Sequence, residues 1–380
     1  MSFTPLGLSS QLLKALAAEG FTAATPIQKE AIPAVADGVD VLGIAKTGSG
    51  KTAAYVLPIL QRLQQAGASR HREPTVLVLV PTRELAEQVR QVFDTFTPFL
   101  TENLKCLAVY GGISINPQMQ AVGNVHILVA TPGRLLELVG KNALRLSSIA
   151  VLVLDEADKM LNLGFKDEVD QILALLPPKR QNLLFSATLS EDLGLIQQAW
   201  LKHPRVIKIT EESAGTDLIQ QLAYLVSEEK KGPLLRYLIK QGDLKQVLVF
   251  ASSTLKADAI VNKLLKNRIY AAAVHSKLGQ QTRRDTLQQF KSGQLPVLVA
   301  TDLLARGIDI EFLPCVINYE LPRSPKDYIH RIGRTGRAES PGHAISLVSP
   351  EEMSHFQLIQ KKMGIHVKTL HGDAIDLHGC

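Results

Sequence analysis

Short runs of Val, Leu, Ile and Ala recur along the chain, separated by longer stretches in which apolar residues return every three or four positions. The first runs lie at residues 39–45, 75–80, 104–109, 126–130, 149–154, 182–185 and 205–209. They are continuous rather than alternating. A strand with one face in water alternates apolar and polar residues, whereas a continuous run fits a strand covered on both faces, as in a parallel sheet. The helical stretches between the runs supply the crossovers that parallel pairing requires. A second series lies at residues 221–226, 246–250, 270–274, 295–300, 314–318 and 343–347. The pattern predicts an α/β protein built as two tandem domains, each a mostly parallel sheet flanked by helices.

Between the two series, residues 208–220 are polar and carry Gly215, which reads as a linker. The expected domains are residues 1–207 and 221–366, with residues 367–380 as a short mobile tail. Thr25-Pro26 has the form of a helix N-cap followed by proline in the first turn, and Gly20 and Gly38 sit where C-terminal caps are expected. A length of 380 residues suits two domains, and a hydrophobic content of 46% can fill two cores. Aromatics at 5% and a single Trp argue against an antibody-like sandwich. The formal net charge of +6 suits a polyanionic partner but singles none out. Cys106, Cys315 and Cys380 are far apart with no C-x-x-C pair, which points to a reducing compartment without a disulfide framework or structural zinc. The first residues lack a basic segment followed by an apolar one, and no apolar run is long enough to cross a bilayer. The expectation is a soluble cytoplasmic protein with no membrane partner. The histidines of the tail, His366, His371 and His378, with Asp373 and Cys380, are too loosely spaced for a metal site and read as solvated.

The first run leads directly into Ala45-Lys46-Thr47-Gly48-Ser49-Gly50-Lys51-Thr52, which opens a helical stretch. Gly48 and Gly50 let backbone N–H groups turn inward around phosphate oxygens. Lys51 has the reach for the β and γ phosphates, and the Thr52 hydroxyl suits magnesium. Asp155-Glu156-Ala157-Asp158 emerges from the C-terminal end of the run at 149–154, the edge of a parallel sheet where ligands bind. Asp155 is placed to hold magnesium through water. Glu156 is placed to orient or deprotonate the water that attacks the γ phosphate.

With these two elements in this order, the chain closely resembles the DEAD-box family of superfamily 2 helicases over nearly its whole length. Further strings carry the resemblance: Gly20-Phe21 with Thr25-Pro26-Ile27-Gln28, Pro81-Thr82-Arg83, Gly111-Gly112 and Thr131-Pro132-Gly133-Arg134. Ser186-Ala187-Thr188, His275-Ser276 with Gln280 and Arg283, Ala300-Thr301-Asp302, Ala305-Arg306-Gly307-Ile308-Asp309 and His330-Arg331-Ile332-Gly333-Arg334-Thr335-Gly336-Arg337 complete the series. The resemblance implies two RecA-like domains that use ATP and magnesium and act on RNA, single-stranded or as a short duplex. It implies adenine contacts from Gln28, Phe21 and Phe3, phosphate contacts from residues 47–52, and a ribose contact from Asp309. RNA would be held by Pro81, Thr82, Arg83, Gly111, Gly112, Thr131, Gly133 and Arg134 in the first domain. Gln280, Arg283 and Thr301 would hold it in the second. Ser186, Thr188, Asp158 and His330 would couple the domains, and Arg334 and Arg337 would act as arginine fingers on the triphosphate.

Two positions depart from the family pattern. Lys46 stands where glutamine is common, and Ser276 follows His275 where glycine is usual. Three activities share this set of residues: an RNA helicase, a DNA helicase or translocase on the same core, and an ATP-locked RNA clamp. The motifs favour RNA, and contacts to its backbone would make binding indifferent to sequence and sensitive to salt. The compact size is similar to monomeric bacterial members linked to ribosome assembly or RNA decay.

Overall fold

The apolar runs are strands, and the strands pair in parallel. The computed structural model describes residues 2–46, 48–67, 73–188, 200–209, 219–242, 244–302, 313–335 and 342–377. The chain divides into two compact units, Met1–Thr210 and Glu211–Cys380. In the first unit the strands are β1 (Val41–Ile44), β2 (Val76–Leu79), β3 (Cys106–Val109), β4 (Ile127–Ala130), β5 (Val151–Leu154), β6 (Gln181–Ser186) and β7 (Arg205–Lys208). They form one sheet in the order β3-β4-β2-β5-β6-β1-β7. In the second unit they are β8 (Ile219–Leu225), β9 (Val247–Ala251), β10 (Ala271–Val274), β11 (Val297–Thr301), β12 (Cys315–Asn318), β13 (Gly342–Val348) and β14 (Lys368–His371). Their order, β10-β11-β9-β12-β13-β8-β14, is that of the first unit counted from its own first strand. The two units thus repeat one topology.

The continuous runs have the cause inferred for them. On one face of the first sheet Val41, Val76, Val78, Val151, Val153, Leu183 and Phe185 pack under α1 (Ser10–Ala18), α2 (Pro26–Ala36), α3 (Lys51–Ala66) and α4 (Arg83–Phe96). On the other face Leu42, Ile44, Leu77, Leu79, Leu152, Leu154 and Leu184 pack against α6 (Pro132–Gly140), α7 (Ala157–Asn162) and α8 (Lys166–Leu175), α5 being Ile115–Ala121. Each such side chain stabilises by roughly 1.5–3 kcal/mol when fully buried, and the polar residues that are buried in β6, Gln181, Asn182 and Ser186, lie at its two ends and are hydrogen-bonded.

Register is pinned by a buried carboxylate. Asp40, just before β1, accepts from the backbone N–H of Asn182 (2.7 Å) and of Lys202 (2.8 Å), and from the Asn182 side-chain amide (3.3 Å). It thereby ties the starts of β6 and β7 to β1, so that Val41 pairs with Leu183 and Arg205. Asp40→Ala leaves those donors without an acceptor and is expected to destabilise the first unit by about 2–3 kcal/mol. Asp40→Asn, which keeps one oxygen, should cost less. Urea unfolding of the three proteins measures both.

The segment expected as a mobile tail is in part structured. Lys368–His371 adds β14 to the edge of the second sheet beside β8, and Val367 is only 2% exposed. Asp373 accepts from the Ser227 hydroxyl at 3.0 Å, and Ile375 and Leu377 pack on the core. An edge strand is flanked on one side only, so it carries no continuous apolar run to announce it. The polar stretch expected as a linker overlaps β7 at Lys208 and β8 from Ile219, and residues 210–218 lie outside the described residues. Among the described residues no helix is long and apolar enough to cross a membrane.

Candidate functional site

The phosphate loop leaves β1 and turns into α3. Gly48 (φ 76°) and Gly50 (φ 88°) adopt left-handed conformations that glycine reaches without strain. A side chain at Gly50 would also meet the Gln28 amide. The buried Lys51 folds back on its own loop, its Nζ donating to the carbonyls of Ala45 (2.5 Å) and Lys46 (2.7 Å). Burial lowers the Lys51 pKa, and the nearby carboxylates of Asp155, Glu156 and Asp158 oppose that shift. The Ser49 hydroxyl is buried with no hydrogen-bond partner. Thr47 lies outside the described residues. Gln28 is buried and joins α2 to the loop: its Nε2 donates to the Gly50 carbonyl (3.2 Å) and its Oε1 accepts from the Thr25 N–H (2.9 Å).

Sheet order brings the carboxylates to this loop. β6 lies between β5 and β1, and Ser186 pairs with Ile44 at the end of the sheet. Asp155 follows β5, its N–H donating to Leu79 of β2 at 3.0 Å. One Asp155 oxygen accepts from the Glu156 N–H (2.9 Å) and the other from the Tyr55 hydroxyl (2.8 Å). Burial raises the pKa of Asp155, opposed by Lys51 and by the Tyr55 hydrogen bond. Glu156 caps α7 with φ 53° and ψ 45°, a left-handed conformation that costs a residue with a side chain of order 1–3 kcal/mol. Strain of this kind persists where the surroundings fix the residue for a purpose. Glu156 Oε1 pairs with Lys159 Nζ at 2.6 Å, while its Oε2 is buried with no partner. Burial raises its pKa as well, against the pull of Lys159. Asp158 accepts from the Thr188 hydroxyl at 2.8 Å, and the Ser186 hydroxyl donates to the Thr188 carbonyl at 2.9 Å. Ser186, Thr188 and Asp158 are therefore one hydrogen-bonded group.

The aromatic pair divides differently from the expectation. Phe3 is 4% exposed and belongs to the core, its ring edge-on to Phe21, which is 40% exposed. Phe3 plugs the core of the first unit, so it has no face to offer a base. Phe21 does.

A second cluster forms at the ends of β2, β3 and β4. Thr82 follows Pro81 and caps α4, accepting from the Leu85 N–H at 3.2 Å. Gly112 has φ 81°, and a Cβ there would fall on the Arg83 guanidinium. Thr131 and Gly133 open α6, in which Arg134 is 7% exposed. Arg134 donates to Glu137 (2.9 Å) and to the Ile113 carbonyl (2.8 Å), while its Nη1 is buried with no partner. The loop carrying Gly111 and Gly112 therefore rests against both arginines. Gln118 shapes it by bonding both the N–H and the carbonyl of Tyr110.

In the second unit Gln280 and Arg283 are hydrogen-bonded to each other. Thr301 ends β11, His330 lies on the helix Pro325–Ile332, and the buried Arg334 follows it, its carbonyl accepting from the Leu313 N–H at 2.9 Å. Asp309 and Arg337 lie outside the described residues.

Motif reading missed three residues of these sites. Tyr55 lies four positions after Lys51 and three after Thr52, on the same helix face, and that spacing was the available signal. Lys159 directly follows the acidic string. Arg331 stands within the last string but motif reading gives it no role there, because its partners Asp302, Asn318 and Glu320 are distant in sequence.

The family model described as DEAD/DEAH box helicase matches residues 25–196, and that described as helicase conserved C-terminal domain matches residues 229–339. The DEAD-box ATP-dependent RNA helicase CshA of Streptococcus pneumoniae is 39% identical over 363 residues, covering 95% of this chain and 68% of that protein. The ATP-dependent RNA helicase CshA of Listeria monocytogenes is 38% identical over 360 residues, covering 94% of this chain and 68% of that protein. Among solved structures, S. cerevisiae Dbp5 bound to RNA and ADP BeF3 is similar with a TM-score of 0.86 at 30% identity, over 98% of this chain and 96% of that one. A DEAD box protein from Methanococcus jannaschii gives a TM-score of 0.55 at 34% identity, over 97% and 99% of the two chains.

Proposed function

This chain belongs to the DEAD-box family of ATP-dependent RNA helicases, and we propose that its phosphate loop and acidic string hydrolyse ATP while its two arginine-bearing clusters hold RNA. The observation that carries the reading is a pair of oxygens, Ser49 Oγ in the phosphate loop and Glu156 Oε2 in the acidic string, both buried without partners. An unsatisfied buried polar atom costs about 1–3 kcal/mol, so such atoms mark places where a ligand or water completes the bonding. A triphosphate oxygen suits the first and the attacking water suits the second.

Lys51 gives up its loop carbonyls to reach the β and γ phosphates, and Gly48 and Gly50 leave the backbone N–H groups free to line the nucleotide. Gln28 and Phe21 take the adenine. Thr52 and Asp155 offer hydroxyl and carboxylate oxygens, the hard donors magnesium prefers, and would hold the ion. The ion would neutralise charge on the phosphate oxygens. Glu156 orients the water and takes its proton. Asp158 with Ser186 and Thr188 relates the nucleotide site to the second unit, with His330 as the counterpart there. Arg334 and Arg337 supply the guanidiniums that offset charge developing on the γ phosphate, and Asp309 meets the ribose. Hydrolysis then needs both units, and ATP and RNA each raise the other's affinity. The protein acts as a monomer.

RNA is held through its backbone by Arg83, Gly112, Thr131 and Arg134 on one unit and by Gln280, Arg283 and Thr301 on the other. The partnerless Nη1 of Arg134 supports this assignment. The test compares ATPase stimulation by RNA and DNA of equal length, in the parent and in Arg134→Ala. RNA is expected to stimulate more strongly. Arg134→Ala should raise the RNA concentration for half-stimulation about tenfold and reduce the salt slope by about one. Stronger stimulation by DNA refutes the reading.

A further inference from the structure

Tyr55 belongs to neither motif of the nucleotide site, yet it lies on the helix that one of them opens and bonds the other. Its ring is fully buried in α3, and its hydroxyl donates to Asp155 at 2.8 Å. Thr52 lies one turn earlier on the same helix. The ring packs against Phe185 of β6, tilted by 44° with centroids 5.3 Å apart. Phe185 in turn occupies the space left by Gly43 of β1, where a Cβ would come within 2.5 Å of the ring. The phenol is therefore fixed from below by strand packing and aimed at one carboxylate.

Packing alone does not account for the hydroxyl. A phenylalanine at position 55 would keep the packing on Phe185 but leave one oxygen of the buried Asp155 without its donor. The hydroxyl therefore acts on the Asp155 carboxylate, which is held at one oxygen by the Glu156 N–H and at the other by Tyr55. A carboxylate gripped at both oxygens cannot rotate about its last bond, and each oxygen keeps a lone pair for a metal or a metal-bound water.

We propose that Tyr55 is a positioning residue for magnesium, its hydroxyl fixing the Asp155 carboxylate in the orientation that receives the ion. This rests on the reading that Asp155 and Thr52 hold the ion. Groups that orient a metal ligand typically matter 10–100-fold for metal affinity.

The test uses the full chain with a fluorescent N-methylanthraniloyl ADP, titrated with magnesium, so that no turnover is involved. Tyr55→Phe is expected to raise the magnesium concentration at half-saturation about tenfold or more. Nucleotide affinity in EDTA should be unchanged, and the melting temperature should fall by only a few degrees, the cost of one buried hydrogen bond, because the ring packing is retained. Asp155→Asn is run in parallel. If Asp155→Asn shifts the titration and Tyr55→Phe does not, the inference about Tyr55 is overturned while the ion site stands. If neither moves, the assignment of Asp155 to magnesium fails first. A lowered melting temperature with an unmoved titration would show a purely structural tyrosine and overturn the proposal equally.

Discussion

Glu156→Gln is expected to lower RNA-stimulated ATP turnover by about a thousandfold, on the order of 4 kcal/mol of transition-state stabilisation. The substitution keeps the size of the side chain and the left-handed backbone of residue 156, so the strain at the start of α7 is unchanged. It retains an oxygen for Lys159, which bonds Glu156 at 2.6 Å. What it removes is the basic oxygen that is buried without a partner. Lys51, Ser49 and the glycines of the loop do not depend on that atom, so ATP should still bind. With binding intact and hydrolysis lost, RNA should remain held in the presence of ATP. Crosslinking of the variant to RNA with and without ATP measures this. Turnover within about tenfold of the parent would remove Glu156 from the role of base.

The second large effect is on folding. Arg331 is 2% exposed and joins four parts of the second unit. Its Nε and Nη2 bind the two oxygens of Asp302 at 2.6 and 2.8 Å. Its Nη1 donates to Asn318 of β12 (3.1 Å) and to the Glu320 carbonyl (2.7 Å), and the guanidinium lies 4.8 Å from the Phe250 ring centre on β9. Arg331→Met would fill the space but leave the buried Asn318 oxygen and the Glu320 carbonyl without a donor. Breaking a buried pair from one side typically costs 3–5 kcal/mol. Asp302 is partly exposed and can rehydrate, so about 3 kcal/mol is expected here. For a unit of this size that is a fall of roughly 10 °C in melting temperature. Trp200, the only tryptophan, lies in the first unit with its indole N–H on Asp170 at 3.1 Å. The loss should therefore appear in far-UV circular dichroism while the tryptophan signal keeps its midpoint. Arg331→Lys should recover only part of the loss, because an ammonium cannot bind both Asp302 oxygens in parallel. An unchanged dichroism transition in Arg331→Met would show that this network contributes little.

The sequence by itself determined where all the strands but β14 are, that the plan occurs twice, and which strings are the candidates for the chemistry. These signals are local: a strand buried on both faces must be a continuous apolar run, and a loop that wraps phosphate must have glycines next to a lysine. Phe3, β14 and the partners of Tyr55, Gln28, Arg134 and Arg331 were decided only by the tertiary structure. Phe3 could plug a core or stack on a base, and only its tertiary packing in the core of the first unit buries it. The strand β14 exists because one side of β8 was left to pair. Tyr55 and Asp155 stand 100 positions apart and meet because β5, β6 and β1 are adjacent and in register. A hydrogen bond depends on a few tenths of an ångström and on angle. Residue type and spacing along the chain do not carry that precision between distant segments; the sheet does, by aligning their ends.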